Sequence, residues 1–165
     1  MEQLPKDRDI AAILPAYGKM GDCTLLYLHS GVCRVMSVKI KTIIRHLAQR
    51  QCKDVSLMRA WASCYTQKKI GVPLPVSWEL VLVPFKARQP KVAGDETMGC
   101  INFVHLHEIK QIKGKTILRL TNGQEIPVLW NPITMQHHIR DARLIQTMIL
   151  QRVDEALLHR IRVFV

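Results

Sequence analysis

The chain has 165 residues, 48% of them apolar and 22% charged, a globular composition that excludes a largely disordered polymer. A domain of this size buries roughly 68–70% of its unfolded surface and needs no disulfides, and no apolar run reaches the ~20 residues of a membrane-spanning helix. Twenty-four Lys and Arg against thirteen Asp and Glu leave a formal charge of +11, the bias of a protein that meets a polyanion.

The N-terminus, Met-Glu-Gln-Leu-Pro-Lys-Asp-Arg-Asp, has no apolar signal core, so a cytoplasmic location is expected. Residues 9–15 read as a first strand ended by Pro15. Residues 22–36 hold two apolar runs joined by His29-Ser30-Gly31, a hairpin signal. Ser37 is placed to cap a helix that runs to about Arg50, with Val38, Ile40, Ile43, Ile44 and Leu47 as its apolar stripe. From Arg34 to Lys69 there are nine Lys/Arg and one acid, Asp54, so this stretch supplies +8 of the +11. Solvated helix faces normally mix signs. A phosphate-contacting surface is therefore expected here, with Lys39, Lys41, Arg45, Arg50, Lys68 and Lys69 as its contacts.

Pro73 and Pro75 stiffen an extended segment that leads into Trp78-Glu-Leu-Val-Leu-Val, a buried strand predicted to stop at Pro84. Residues 86–98 lack periodicity and read as an exposed loop, either a recognition element or a plain connector. Lys86, Arg88 and Lys91 at its near end are candidates to enter a DNA groove. Residues 100–107, 115–120 and 124–129 read as three strands with turns at Lys113-Gly114 and Asn122-Gly123. Asn131-Pro132 opens a helix that reaches at least residue 150. That helix either packs on its own sheet or offers a dimer surface. The reading is an α+β, strand-rich single domain over 1–165, with a 9–85 half, an 86–99 loop and a 100–165 half. Antiparallel hairpins, a basic helix near 38–50 and a C-terminal helix from about 132 are its landmarks.

Cys23, Cys33, Cys52, Cys64 and Cys100 are odd in number and form no Cys-x-x-Cys pair, so they read as reduced thiols, mostly buried. Four of them as a zinc site remain an alternative that no close ligand pair positions. His105 and His107 would share one face of a strand, with Glu108 on the other; a metal, a proton relay, a polar sheet surface or a hydrogen bond to a loop all fit that spacing. No nucleophile elbow, phosphate loop or His-Glu-x-x-His occurs, and neither an enzyme nor a cofactor is expected.

In their order and spacing, several segments resemble the competence transcription factor family, ComK. They are Ile10-Ala-Ala-Ile-Leu-Pro with Cys23, Ser63-Cys64-Tyr65, Lys69-Ile70-x-x-Pro-x-Pro-Val, and Leu80-Val-Leu-Val-Pro84. The fullest likeness is Cys100-Ile-x-x-Val-His105-x-His107-Glu, then Thr121-Asn-Gly-Gln-Glu-Ile and the helix after Asn131-Pro132. The resemblance covers residues 9 to 150. It implies an oligomeric activator of competence genes that binds A/T-rich promoter boxes and is controlled through a MecA-type adaptor and a Clp protease. The family's aromatic- and methionine-rich tail is not recognisable in Gln151–Val165, which puts that proteolytic control in doubt. Ile101–Val128 is also similar to the LytTR DNA-binding domain of response regulators, though no receiver-type region precedes it.

The expected function is thus a sequence-selective activator bound to double-stranded DNA and self-associated, with no membrane partner. The alternative is a cytosolic adaptor whose basic face binds an acidic protein. RNA binding ranks below both, because stacking on bases wants exposed aromatics, and aromatics are 5% of the chain and sit in apolar runs.

Overall fold

Hairpins generate most of the architecture. The computed structural model describes residues 3–19 and 21–163. Strand β1 (Ile10–Gly18) pairs with β2 (Gly21–Leu28), and β2 with β3 (Cys33–Met36) across the predicted His29-Ser30-Gly31 turn. A second trio, β4 (Leu74–Ser77), β5 (Leu80–Lys86) and β6 (Met98–Asn102), joins the first along β1 and β6. The result is a six-stranded antiparallel sheet in the order β3-β2-β1-β6-β5-β4. The chain returns through the 87–97 loop to place β6 at the centre of this sheet, between β1 and β5.

Both prolines expected to end strands lie inside them. The β1–β2 ladder runs through Pro15↔Thr24 to Gly18, whereas the β1–β6 register ends at Ile13↔Cys100. Likewise β5 continues through Pro84↔Cys100 to Lys86, beyond the last β4 partner of β5 at Leu82. Each proline thus falls where its strand is paired on one side only, so the missing N–H costs no ladder bond.

The predicted strand 100–107 is broken. Its first part is β6, residues 103–105 form a 3-10 turn, and β7 (Leu106–Ile112) belongs to a second sheet with β8 (Lys115–Leu120) and β9 (Glu125–Val128), order β7-β8-β9. Asn102 makes that break. Its buried amide donates to the carbonyls of Ile10 and Glu79, both at 2.9 Å, and accepts from the N–H groups of Val81 and Val104 at 3.2 and 3.3 Å.

Helix α1 (Ile40–Arg50) starts later than expected: Lys39, not Ser37, is at the N-cap position and makes no side-chain cap bond. Ile40, Ile43, Ile44, Leu47 and Ala48 bury its inner stripe on one face of the large sheet, against Ile10, Ile13, Leu26 and Leu82. On the opposite face, Ala12, Val81, Val83, Phe85 and Ile101 meet Leu118, Leu120, Ile126 and Val128 of the small sheet. Met135, Ala142 and Ile145 of α3 (Pro132–Val163) complete that second core. Helix α2 (Val55–Thr66) was not anticipated. Asp54 caps it by accepting from Ser56 and Leu57 N–H, and Met58 and Ala62, one turn apart, reach the two cores respectively. The protein is therefore a strand-rich α+β domain with antiparallel sheets and a C-terminal helix from 132.

Candidate nucleic-acid interface

The basic stretch 34–69 folds into the end of β3, α1, α2 and the loop that leaves α2. Lys41 and Arg45 stand four residues apart on the exposed side of α1, and Lys39 precedes its first turn. Arg59 is exposed on α2. Gln67, in the left-handed conformation with φ 57°, ends α2 and turns the chain toward Lys68 and Lys69. Three elements thereby bring Lys41, Arg59 and Lys69 to the rim of one cleft of about 560 Å³. Among the described residues, Lys39, Arg45, Arg59 and Lys69 form no ion pair. Lys41 is bound to Glu96 at 2.7 Å while its own side chain remains 78% exposed.

Three of the other expected contacts, Arg50, Lys68 and Arg88, are occupied within the fold. Arg50 pairs with the buried Asp7 and donates to the carbonyls of Leu4 and Pro5, holding the N-terminal segment to the end of α1. Lys68 reaches Asp141 on α3 at 2.5 Å. Arg88 is no free finger: its side chain is 13% exposed, ion-paired to Asp22 at 2.6 Å, and its Nε donates to the Glu96 carbonyl at 2.6 Å. Its guanidinium also lies 3.8 Å from the centre of the Tyr17 ring, beside the Lys91 ammonium at 4.2 Å. Tyr17 donates to Asp95 at 2.5 Å, and Asp95 accepts from the N–H groups of Lys91 and Val92. The hydroxyl of Tyr17 is the main reason the Asp95 carboxyl lies below its ordinary range. The 87–97 loop is consequently tied to β1 at both ends of its turn. Lys86 is half-buried at the end of β5.

The histidine pair does not share a face. His105 lies in the 3-10 turn, buried, donating from Nε2 to the Arg8 carbonyl and stacked on His29 at 4.5 Å between centroids; His107 is exposed on β7. Burial lowers the His105 pKa from 6.5, which favours a neutral structural ring. Cys23 and Cys100 are buried, but Cys33, Cys52 and Cys64 are exposed, contrary to the expectation that most are core residues. No group of three His, Cys, Asp or Glu side chains suited to a metal occurs among the described residues. The aromatics largely pack as expected, Tyr27, Trp61, Tyr65, Phe103 and Trp130 against the second core, while Trp78 at the β4–β5 turn is 53% exposed.

Arg59 and Trp130 are the cleft residues that sequence reading missed. Arg59 follows from recognising α2, for which the Asp54 cap and the Met58/Ala62 spacing are the available signals. Trp130 is brought in by stacking on His138 at 4.6 Å, and His138 Nδ1 donates to the Gly71 carbonyl at 3.0 Å. That approach requires glycine: φ at Gly71 is +68°, and a Cβ there would lie 2.8 Å from the His138 ring.

No helix of the described residues is long and apolar enough to cross a membrane. Comparison with protein-family models, curated proteins and solved structures finds no match.

Proposed function

We propose that this protein is a cytoplasmic, sequence-selective activator that binds double-stranded DNA at A/T-rich promoter boxes of competence genes. The observation that carries the reading is the gathering of Lys41, Arg59 and Lys69 from α1, α2 and the following loop, with Arg45 on the next turn of α1. Each phosphate neutralised by such cations releases counterions, giving a salt slope of about −0.9 per contact on duplex DNA. Choice of A/T-rich boxes and of competence genes rests on the ComK resemblance. Arg88 is spent inside the fold, so Arg45 and Arg59 take its place as candidates for a narrow, negative minor groove. Self-association through α3 belongs to the same reading: residues 151–159 are helical yet exposed throughout, with Leu150, Val153 and Leu157 along one stripe.

The test is a fluorescence-anisotropy titration on A/T-box and scrambled G/C duplexes at two salt concentrations. An A/T preference that survives the higher salt is expected, together with a salt slope reduced by about two units in Arg45→Ala/Lys69→Ala. Weak binding that ignores sequence would instead favour the adaptor reading, in which the same basic face takes an acidic protein.

A further inference from the structure

Beneath the basic rim the cleft is apolar. Pro84 of β5, Met98 of β6 and Trp130 form its accessible apolar wall, and Ile44 of α1 and Cys100 of β6, 8% and 6% exposed, lie at its floor. Its 560 Å³ falls in the roughly 300–1,000 Å³ range of small-molecule sites, which are mostly apolar with a few polar groups that fix orientation. Cys100 adds no charge to the floor, since burial pushes its thiol up to about 12. The rim has one acid, Glu96, already held by Lys41, so Arg59 and Lys69 leave the mouth net positive. Ile70 beside them is 89% exposed, an aliphatic side chain standing at the entrance.

We infer that this cleft is a binding site for an amphipathic anion, an aliphatic chain ending in a carboxylate. The chain would lie along Ile44, Pro84 and Met98, and the head would meet Arg59 and Lys69. The walls are aliphatic apart from Trp130 at one end, which suits a flexible hydrocarbon chain. A guanidinium takes a carboxylate through two parallel N–H bonds, and each buried methylene contributes about 0.8 kcal/mol. This site does not depend on the DNA reading: it requires only the cleft, with Arg59 and Lys69 at its mouth.

The probe is dodecanoate, titrated below its micelle concentration into the full chain without DNA, with dodecanol as the neutral twin. Methyl-labelled protein locates the site independently of any substitution. Saturable one-to-one binding is expected, at least about tenfold weaker for dodecanol and for Arg59→Ala/Lys69→Ala, with methyl shifts centred on Ile44, Ile70 and Met98. Absence of saturable binding overturns the assignment, as does equal affinity for the two probes or methyl shifts centred elsewhere. Loss of A/T-selective DNA binding with dodecanoate binding intact would sink the proposed function and leave this site standing.

Discussion

Arg88 shows how a residue's surroundings decide what its charge is for. In sequence it is one of three cations at the start of a loop, a reasonable groove contact. In the fold its guanidinium and the Asp22 carboxylate are 13% and 10% exposed and 2.6 Å apart, and the Glu96 carbonyl and Tyr17 ring complete the enclosure. Arg88→Ala strands a buried carboxylate on β2, which costs on the order of 3 kcal/mol. Thermal or urea unfolding should register that loss, while the salt slope of DNA binding stays as in the unmodified protein. A slope reduced by one unit without loss of stability would return Arg88 to the interface. Asn102 makes the same point for a neutral side chain. Its four hydrogen bonds join β1, the β4–β5 hairpin and the entry to β7, and the three partners other than Val104 lie 21, 23 and 92 residues away, which no local pattern announces.

At the scale of elements, hairpins and amphipathic helices were legible because their signals are local. Asn122-Gly123 forms the expected β8–β9 turn, and the Asn122 side chain caps it by accepting from Gln124 N–H at 2.9 Å. That turn also docks on another: Asn122 Nδ2 donates to the His29 carbonyl at 3.1 Å, and Gln124 Nε2 to that of Gly31 at 3.0 Å. These bonds join the tip of the small sheet to the β2–β3 hairpin, a pairing visible only in three dimensions. Helix α2 escaped notice because its face is divided between two cores, leaving two fully buried residues rather than a continuous stripe. Helix α3 has the opposite character. Its first half buries Met135, Ala142 and Ile145, and its stripe then continues outward through Val153 and Leu157, 36% and 53% exposed. An unsupported helical extension of this length is marginal in water, and in the reading proposed above a second copy covers it. Sedimentation should show a concentration-dependent dimer that Val153→Glu/Leu157→Glu shifts to monomer with unchanged melting of the body. A monomer at all concentrations in the unmodified chain would remove α3 from self-association.

The whole molecule carries a pH dependence of definite sign. Burial lowers the pKa of His105 and of His138 from 6.5, while each ring donates to a backbone carbonyl and stacks on another ring. Below pH 6.5 the unfolded chain binds these protons more readily than the native one, so stability is fully present above that pH and falls on acidification. The fall continues until the native rings themselves titrate. Urea midpoints between pH 7.5 and 5 should decrease, and His105→Gln/His138→Gln should flatten the part of the slope that these rings supply. An unchanged slope in the double variant would assign the acid sensitivity to other groups.

The α+β class, the hairpins, the inner stripe of α1, the start of α3 and the concentration of positive charge in residues 34–69 are all legible in the chain's local pattern. All are consequences of spacing along a short stretch of chain, where side-chain period and turn chemistry act directly. Tertiary structure alone decided that β6 sits between β1 and β5, that Pro15 and Pro84 remain within strands, and that Arg50, Lys68 and Arg88 are spent on internal partners. It also opened a cleft under Lys41, Arg59 and Lys69. The physical reason is common to all of these: a ladder bond, an ion pair or a cavity depends on the group that faces a residue across space. In this fold that group lies many residues away, 66 in the case of Arg88 and Asp22.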